Sequence, residues 1–412
     1  MPTINDVMEM AELLRSRSVV PVEDRCVAVR NRNASCLKCA QVCIASAIEV
    51  GQNKITVDAG ACVGCGACVA VCPTSALVSL DPMDEDLVSS LLAAVRGAKS
   101  MAVVSCARMA SRRLGDPEKF ATVPCLGRVD ERMIVALAGM GVEDIVLVDG
   151  DCTTCKYGAV SAAVDETVES AVRLFEMIGA SAIVTRCSEF PREVLAEDER
   201  KVIGAARRGF FSQASGIARN VAVTAAEKAI DDALHQSKQR KLLTLRERLG
   251  AGKSGKLPTI QPERNLFLLD ELWKIAQRRA DAEAEADTPV PEDAGAFPVA
   301  LAEEAIDTRL FGSIEIDPAD CSGCGMCVMF CPTAALKYST TDEPDDAESR
   351  YLEFQASDCT QCGLCVDVCL RGSVTLSSHV ACAELFDFEP KLIEIPRPKK
   401  GNFLFTRNKP KK

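Results

Sequence analysis

From residue 101 to about 190 the chain alternates short, almost continuous apolar runs with stretches of helical period. The runs are MAVVSC ending at 106, FATVPC at 125, DIVLVDG at 150 and SAIVTRC at 187. Apolar runs of this length predict buried parallel strands. Residues 129–141 and 157–178 have the length and pattern of helices, so the segment reads as βα units in an open sheet. Ligands of such sheets gather at the carboxyl ends of the strands. Cys106, Cys125, Cys152, Cys155 and Cys187 stand at or just after those ends. Elsewhere the pattern is weaker. Asn5 or Asp6 followed by Val7, Met10, Leu13 and Leu14 predicts a short capped amphipathic helix. Residues 223–249, with Ile230, Leu234, Leu242, Leu245 and Leu249 near one face, predict a charged one. Residues 281–293 hold six acids, two prolines and no base, the composition of an extended linker. Residues 391–412 carry eight Lys or Arg against one Glu, which suits either an arm for an acidic partner or a frayed end.

On both sides of the alternating region the rhythm breaks into loops rich in cysteine and glycine. The run CSGCGMCVMFCP places Cys321, Cys324, Cys327 and Cys331 at the spacing that holds a [4Fe-4S] cluster in bacterial ferredoxins. Cys62, Cys65, Cys68 and Cys72, followed by Pro73, repeat it, and Cys359, Cys362, Cys365 and Cys369 repeat it without the proline. Thiolates suit iron, and glycines let a short loop turn its N–H groups toward the cluster. The first run departs from this pattern. Cys36, Cys39 and Cys43 keep the last three spacings, but Asn33 stands where the first cysteine belongs, and Cys26 is the nearby replacement. In two-cluster ferredoxins the fourth cysteine of each run ligates the other run's cluster. The expected sets are therefore Cys26, Cys36, Cys39 with Cys72; Cys62, Cys65, Cys68 with Cys43; Cys321, Cys324, Cys327 with Cys369; and Cys359, Cys362, Cys365 with Cys331. Zinc ribbons also use paired CxxC, but four triply spaced runs with glycines favour iron–sulfur sites. No CxxC is followed by histidine, as c-type haem attachment requires.

Composition narrows the classes further. The 412 residues suggest about three domains. No apolar stretch approaches the roughly 18 residues of a membrane span, and the opening MPTINDVMEMAELL lacks a signal layout. The expected location is the cytoplasm, where cysteines in such numbers act as metal ligands rather than disulfides. A net charge of -11 argues against general nucleic-acid binding. Only His235 and His379 are present, too few for histidine-based hydrolytic chemistry. GAGKSG at 250–255 mimics a dinucleotide fingerprint but follows a charged helix instead of a buried strand, and Leu257 occupies the phosphate-loop hydroxyl position. Neither FAD nor NAD binding is supported by it.

The central cysteines by themselves admit three readings. CTTC at 152–155 suits a thioredoxin-like redox pair, the thiols could be structural, or four of them hold a cluster. The segment VPCLGRVDERMIVALAGMGVEDIVLVDGDCTTCKYG resembles the delta subunit of methyl-viologen-reducing hydrogenase. That family carries Cys-Ser-Gly-Arg-Val-Asp, a Gly-Val-Leu-Val strand and a Cys-x4-Cys-His-Tyr segment. Cys125 to Asp130, Ile145 to Val148 and Cys155-Lys156-Tyr157 match them in turn. The resemblance spans about 101–190. It implies a [2Fe-2S] cluster on Cys106, Cys125, Cys152 and Cys155, and electron transfer between a hydrogenase or formate dehydrogenase and a flavin-containing heterodisulfide-reductase-type subunit. One position departs: the family's first cysteine of the third segment would fall on Gly150, whereas this chain offers Cys152, and Cys187 is a possible substitute.

The expected architecture is α/β, a central open parallel sheet with helices flanked by two ferredoxin-like α+β modules. Its parts are a module at 1–95, the α/β cluster domain at 97–195, a helical segment and acidic linker at 196–310, a second module at 311–380 and a basic tail at 381–412. The expected function is an electron-transfer subunit with four [4Fe-4S] clusters and one [2Fe-2S] cluster, without a catalytic residue of its own. The alternatives are a thiol–disulfide reductase using Cys152 and Cys155, or a cluster-bearing sensor or scaffold. Cys187 and Cys382 remain as structural thiols.

Overall fold

The computed structural model describes residues 18–97, 101–196, 259–285, 305–340 and 348–398. The opening helix, the helix at 223–249, GAGKSG and His235 lie outside the described residues. In the first module, β1 (Val19–Pro21) leads into α1 (Val27–Arg30) and α2 (Lys38–Val42). The hairpin β2 (Ile48–Gly51) and β3 (Lys54–Val57) follows, then α3 (Ala67–Val71) and β4 (Leu77–Ser79). β1 pairs antiparallel with β4, Val19 opposite Ser79, so the strands before the first cysteine run and after the second close on each other. Helix α4 (Asp84–Gly97) leaves the module.

The middle of the chain forms the parallel sheet that its apolar runs predict. It comprises β5 (Met101–Cys106), β6 (Ala121–Val123), β7 (Asp144–Val148) and β8 (Ile183–Cys187), with the short helix α5 (Ala107–Ala110) after β5. The order is β6-β5-β7-β8 with all pairs parallel. Helices α6 (Glu131–Gly139) and α7 (Ser161–Met177) make the crossovers. Ile145, Leu147 and Val148 of the inner strand β7 are fully buried. The reading of SAIVTRC as a buried strand is corrected here. β8 lies at the sheet edge, and Ile183 is 59% exposed, because only one neighbour and one covered face remain for it.

Helix α8 (Glu263–Glu285) was not foreseen, and it extends into the stretch read as an extended linker. Alternating Ala and Glu are good helix formers, which outweighs the acidic composition through Glu285; residues 286–293 lie outside the described set. Its face Leu268, Leu269, Leu272, Ile275 and Ala276 is buried. Arg278 donates to the carbonyl of Ala138 at the end of α6 (2.8 Å), and Arg279 to that of Ile178 after α7 (2.9 Å). At the other end of α8, Arg264 donates to Ala70 and Val69 carbonyls in α3 (2.9 and 3.0 Å). Asn265 beside it donates to carbonyls of Leu310 and Cys359 (3.2 and 3.1 Å). One helix thus holds three parts of the chain together.

The last part repeats the layout of the first. β9 (Ile306–Asp307) precedes β10 (Ser313–Ile316), and α9 (Met326–Phe330) lies within the third cysteine run. β11 (Leu336–Tyr338) and β12 (Ser349–Phe354) then pair antiparallel, and α10 (Leu364–Asp367) lies within the fourth run. β13 (Val374–Ser377) returns to β10, Ser313 opposite Ser377. β14 (His379–Val380) pairs with β9, and α11 (Cys382–Phe386) buries Cys382. Residues 391–396, within the stretch 381–412 read as a basic tail, form β15 (Lys391–Pro396) along β12. Ile395 alternates inward there and is buried, which supplies the apolar contact that the basic composition concealed. Residues 399–412 are outside the described set. Among the described residues, no helix is long and apolar enough to cross a membrane.

Candidate iron–sulfur sites

In each terminal module the chain makes one cysteine loop, a helix turn, two strands, then a second loop. The strand closure brings the end of each loop beside the start of the other. As a result Cys26, Cys36, Cys39 and Cys72 line one cavity, and Cys43, Cys62, Cys65 and Cys68 line another. Cys331, Cys359, Cys362 and Cys365 line a third. The three are closely similar in size, about 20, 20 and 30 Å³. Cys321, Cys324 and Cys369 are the thiols whose charges bear on Cys327, which groups the fourth set. Cys26 therefore stands where the absent first cysteine of its run would stand, at the start of α1.

The donor set fits an iron–sulfur cube. The walls of the cavities are otherwise mostly apolar, as with Val50, Ile55 and Leu77 around the Cys26 set, where Lys38 and Thr74 are the polar exceptions. Backbone N–H groups turn toward sulfur: Ala47 to Cys43 (3.3 Å), Ala76 to Cys72 (3.2 Å) and Gly323 to Cys321 (3.4 Å). Such bonds stabilise thiolate character and tune a bound cluster. Among the described residues, no three His, Cys, Asp or Glu groups converge closely enough for a single metal ion. The thiols ring a space instead of meeting at a point. Burial pushes Cys39, Cys327, Cys359 and Cys362 up to about 12, and the neighbouring cysteines add to the effect. Cys369 moves the other way: burial opposes its ionisation, yet the Ser373 hydroxyl (3.3 Å) and backbone N–H groups bring it below the ordinary thiol value.

The central site forms at the carboxyl end of the sheet. The order β6-β5-β7-β8 reverses direction between β5 and β7, the place where open sheets bind ligands. Cys106 ends β5, Cys125 follows β6, and Cys152 and Cys155 flank the turn after β7; all four line one cavity. The Cys106 thiol reaches the Asp149 carbonyl (3.7 Å), and the Tyr157 N–H donates to Cys155 (3.4 Å). Cys187 is turned away, its thiol donating to the Glu189 carbonyl at 3.1 Å.

Sequence reasoning missed the polar frame of this cavity. Asp149 accepts from the Cys152 thiol (3.2 Å) and pairs with Arg186 (2.5 Å). Arg186 also pairs with Asp165 (2.5 Å), donates to Ser161 Oγ (2.7 Å) and lies 3.6 Å from Cys152 Sγ. Burial pushes the Cys152 thiol up to about 11, the Asp149 carboxylate reinforcing it and Arg186 opposing it. Cys125 is raised to about 11, first by burial, and Cys65 of the first module is among the charges that bear on it. The only sequence signals for this frame were Asp149 following an apolar strand and a lone charge within β8.

Two segments match known families. Residues 320–373 match the 4Fe-4S dicluster domain family, and residues 55–78 match the 4Fe-4S binding domain family. The first match covers both C-terminal cysteine runs, and the second covers the Cys62–Cys72 run. A 7Fe ferredoxin of Hydrogenibacillus schlegelii is 40% identical over 48 residues, 12% of this chain. The chain spans 62% of the length of that relative. Ferredoxin-type [4Fe-4S] domains are thus present in both terminal parts of the molecule.

Proposed function

We propose that this chain is a multi-cluster iron–sulfur electron-transfer subunit that relays electrons between partner subunits of a larger oxidoreductase. The observation that carries the reading is the gathering of twelve cysteines, drawn from four separate runs, into three cavities lined by four each, with Cys321, Cys324 and Cys369 within electrostatic reach of Cys327. Cys26, Cys36, Cys39 and Cys72; Cys43, Cys62, Cys65 and Cys68; Cys321, Cys324, Cys327 and Cys369; and Cys331, Cys359, Cys362 and Cys365 would each hold a [4Fe-4S] cluster. Cys106, Cys125, Cys152 and Cys155 would hold a [2Fe-2S] cluster, as the resemblance of residues 101–190 to the hydrogenase delta subunit implies. Bound there, each cluster supplies reversible one-electron chemistry. The protein's own part is to exclude water with apolar walls and to aim N–H groups at sulfur.

The same resemblance suggests the partners: a flavin-containing heterodisulfide-reductase-type subunit on one side and a hydrogenase or formate dehydrogenase on the other. A thiol–disulfide reductase reading of Cys152 and Cys155 is less well supported. Such a pair needs a nucleophile with a depressed value, and Cys152 is raised. Anaerobic analysis of iron and acid-labile sulfide tests the assignment. We expect about 18 irons per chain from four four-iron clusters and one two-iron cluster. A count near half of that, or stoichiometric zinc, would overturn it.

A further inference from the structure

The two ferredoxin-type parts stand at opposite ends of the sequence, and no spacing within them says whether they touch. In the fold they are clamped together. Asp367, in α10 between Cys365 and Cys369, accepts from the Ser35 backbone N–H at 2.7 Å and from the Ser35 hydroxyl at 2.8 Å. Ser35 is the residue before Cys36, so this carboxylate joins the cysteine loops of the two ends directly. Beside it Val27, Leu364 and Val368 form a buried apolar cluster, with Cys36 and Cys362 packed against it. Arg30 comes from the N-terminal side. It is 4% exposed, donates to the Asp24 carbonyl (3.0 Å), and lies within electrostatic reach of Cys331 and Cys362.

The other neighbours extend the series. Helix α9, which carries Cys327, packs against α10, which carries Cys365. Cys36 and Cys362 pack on one apolar cluster, Cys39 and Cys68 share another, and Gly66 beside Cys65 packs against Arg128, just after Cys125. Each contact joins a different pair of cysteine sets, and taken in turn they run through all five. The Cys321 set comes first, then the Cys359, Cys36 and Cys62 sets, and finally the central set. Cys324, in the first set, is exposed.

We infer that Ser35 and Asp367, with Arg30 behind them, are positioning residues of a junction that seats the Cys36 set directly against the Cys362 set, making the five sets one row that ends near Cys324 and at the central cavity. This rests on the cluster reading above. It adds that the two terminal parts communicate through their own contact, with the central domain at one end of the row instead of between them.

The test uses the full chain, purified anaerobically with its iron intact. Asp367→Ala removes both hydrogen bonds, and Ser35→Ala removes only the hydroxyl's. Iron content should stay at the wild-type level in both, since neither residue is a ligand. In the reduced protein, the part of the spin–spin broadening in the paramagnetic resonance spectrum that arises between the clusters of the Cys36 and Cys362 sets should be lost in Asp367→Ala and weakened in Ser35→Ala, while the coupling within each terminal part persists. Asp367→Glu should restore part of it. Hydrogen exchange should accelerate together in residues 27–36 and 364–368, a readout that does not require iron. Unchanged exchange and unchanged spin coupling in Asp367→Ala would overturn the junction. A wild-type chain without the expected iron, but with coupled exchange in those two segments, would instead overturn the cluster reading and leave the contact standing.

Discussion

Arg309 Nε lies 2.6 Å from Glu131 Oε1, joining residues 178 positions apart in the sequence. Glu131 is completely buried at the start of α6, and Arg309, 22% exposed at its side chain, also donates to Thr167 Oγ1 at 2.7 Å. The pair ties the approach to the C-terminal cysteine runs onto the central domain. Removing one partner of a buried pair strands the other charge. Arg309→Ala should therefore cost about 3 kcal/mol, seen as a lowered denaturation midpoint. Arg309→Met combined with Glu131→Leu should recover most of that loss, and a double variant as unstable as the single would contradict the explanation.

Gly66 has φ +78°, and a Cβ there would sit 2.9 Å from Arg128 Cβ and 3.1 Å from Arg128 Cα. Arg128 cannot yield, because it is fully buried and paired with Asp84. Gly66→Ala combines a left-handed backbone with a backbone clash, so it should destabilise by about 2 kcal/mol. It should also loosen the packing of the Cys65 loop on the segment that follows Cys125. Thermal unfolding checks the first effect, and the spectrum of the central site checks the second.

Asp130 caps α6 by accepting the Met133 N–H (3.2 Å) and pairs with Arg132 (2.8 Å). Burial opposes its ionisation, but Arg132, Arg264 and Arg128 outweigh burial and hold the carboxyl below its ordinary value. A depressed value contributes stability above the unfolded pKa of about 3.9, and that stability is lost as pH falls through the folded value. Asp130→Asn should be less stable than wild type at pH 7, and the gap should close below about pH 4. The difference between the two proteins subtracts the acid lability of clusters that both share. A gap that stays constant from pH 7 to pH 3 would show that the carboxylate charge plays no part.

Cys72 lines the same cavity as Cys26, Cys36 and Cys39, not that of its own run. Cys72→Ser should damage the cluster built on that set and spare the one on Cys43, Cys62, Cys65 and Cys68. Resonance spectra of the reduced variant distinguish the two. Loss of the second signal with survival of the first would mean that the crossing is wrong.

At the central site Cys125→Ser should remove or alter one spectroscopic centre while the signals of the terminal sets persist. Cys187→Ser should leave that centre unchanged, since its thiol is committed to the Glu189 carbonyl. If Cys187→Ser abolishes the centre and Cys152→Ser does not, the ligand set must be redrawn.

What could be read from the sequence was local. CxxCxxC spacing sets how a few bonded residues can wrap a cluster, and the alternation of apolar runs with helical stretches sets strands and helices whatever lies beside them. The parallel sheet and the gathering of cysteines at its carboxyl end followed from that. Edge and interior strands could not be told apart, because an apolar run does not state how many neighbours it will have. The helix Glu263–Glu285 was hidden because its acidic end has the composition of a linker, and its value lies in what Arg264 and Asn265 touch elsewhere.

Only tertiary structure decided the rest. Cys26 could be nominated from the sequence, but the closing of β1 on β4 is what brings it to Cys72. Asp367 with Ser35, Glu131 with Arg309, and Arg186 with Asp149 carry no mark in the sequence. Each is a pairing of charges or polar groups from distant segments, with no spacing or period to announce it. Burial gives such a pair its strength, and burial depends on every element packed around it. The cysteine runs state which atoms can bind iron; the order in which the sets stand follows from how the chain folds back on itself.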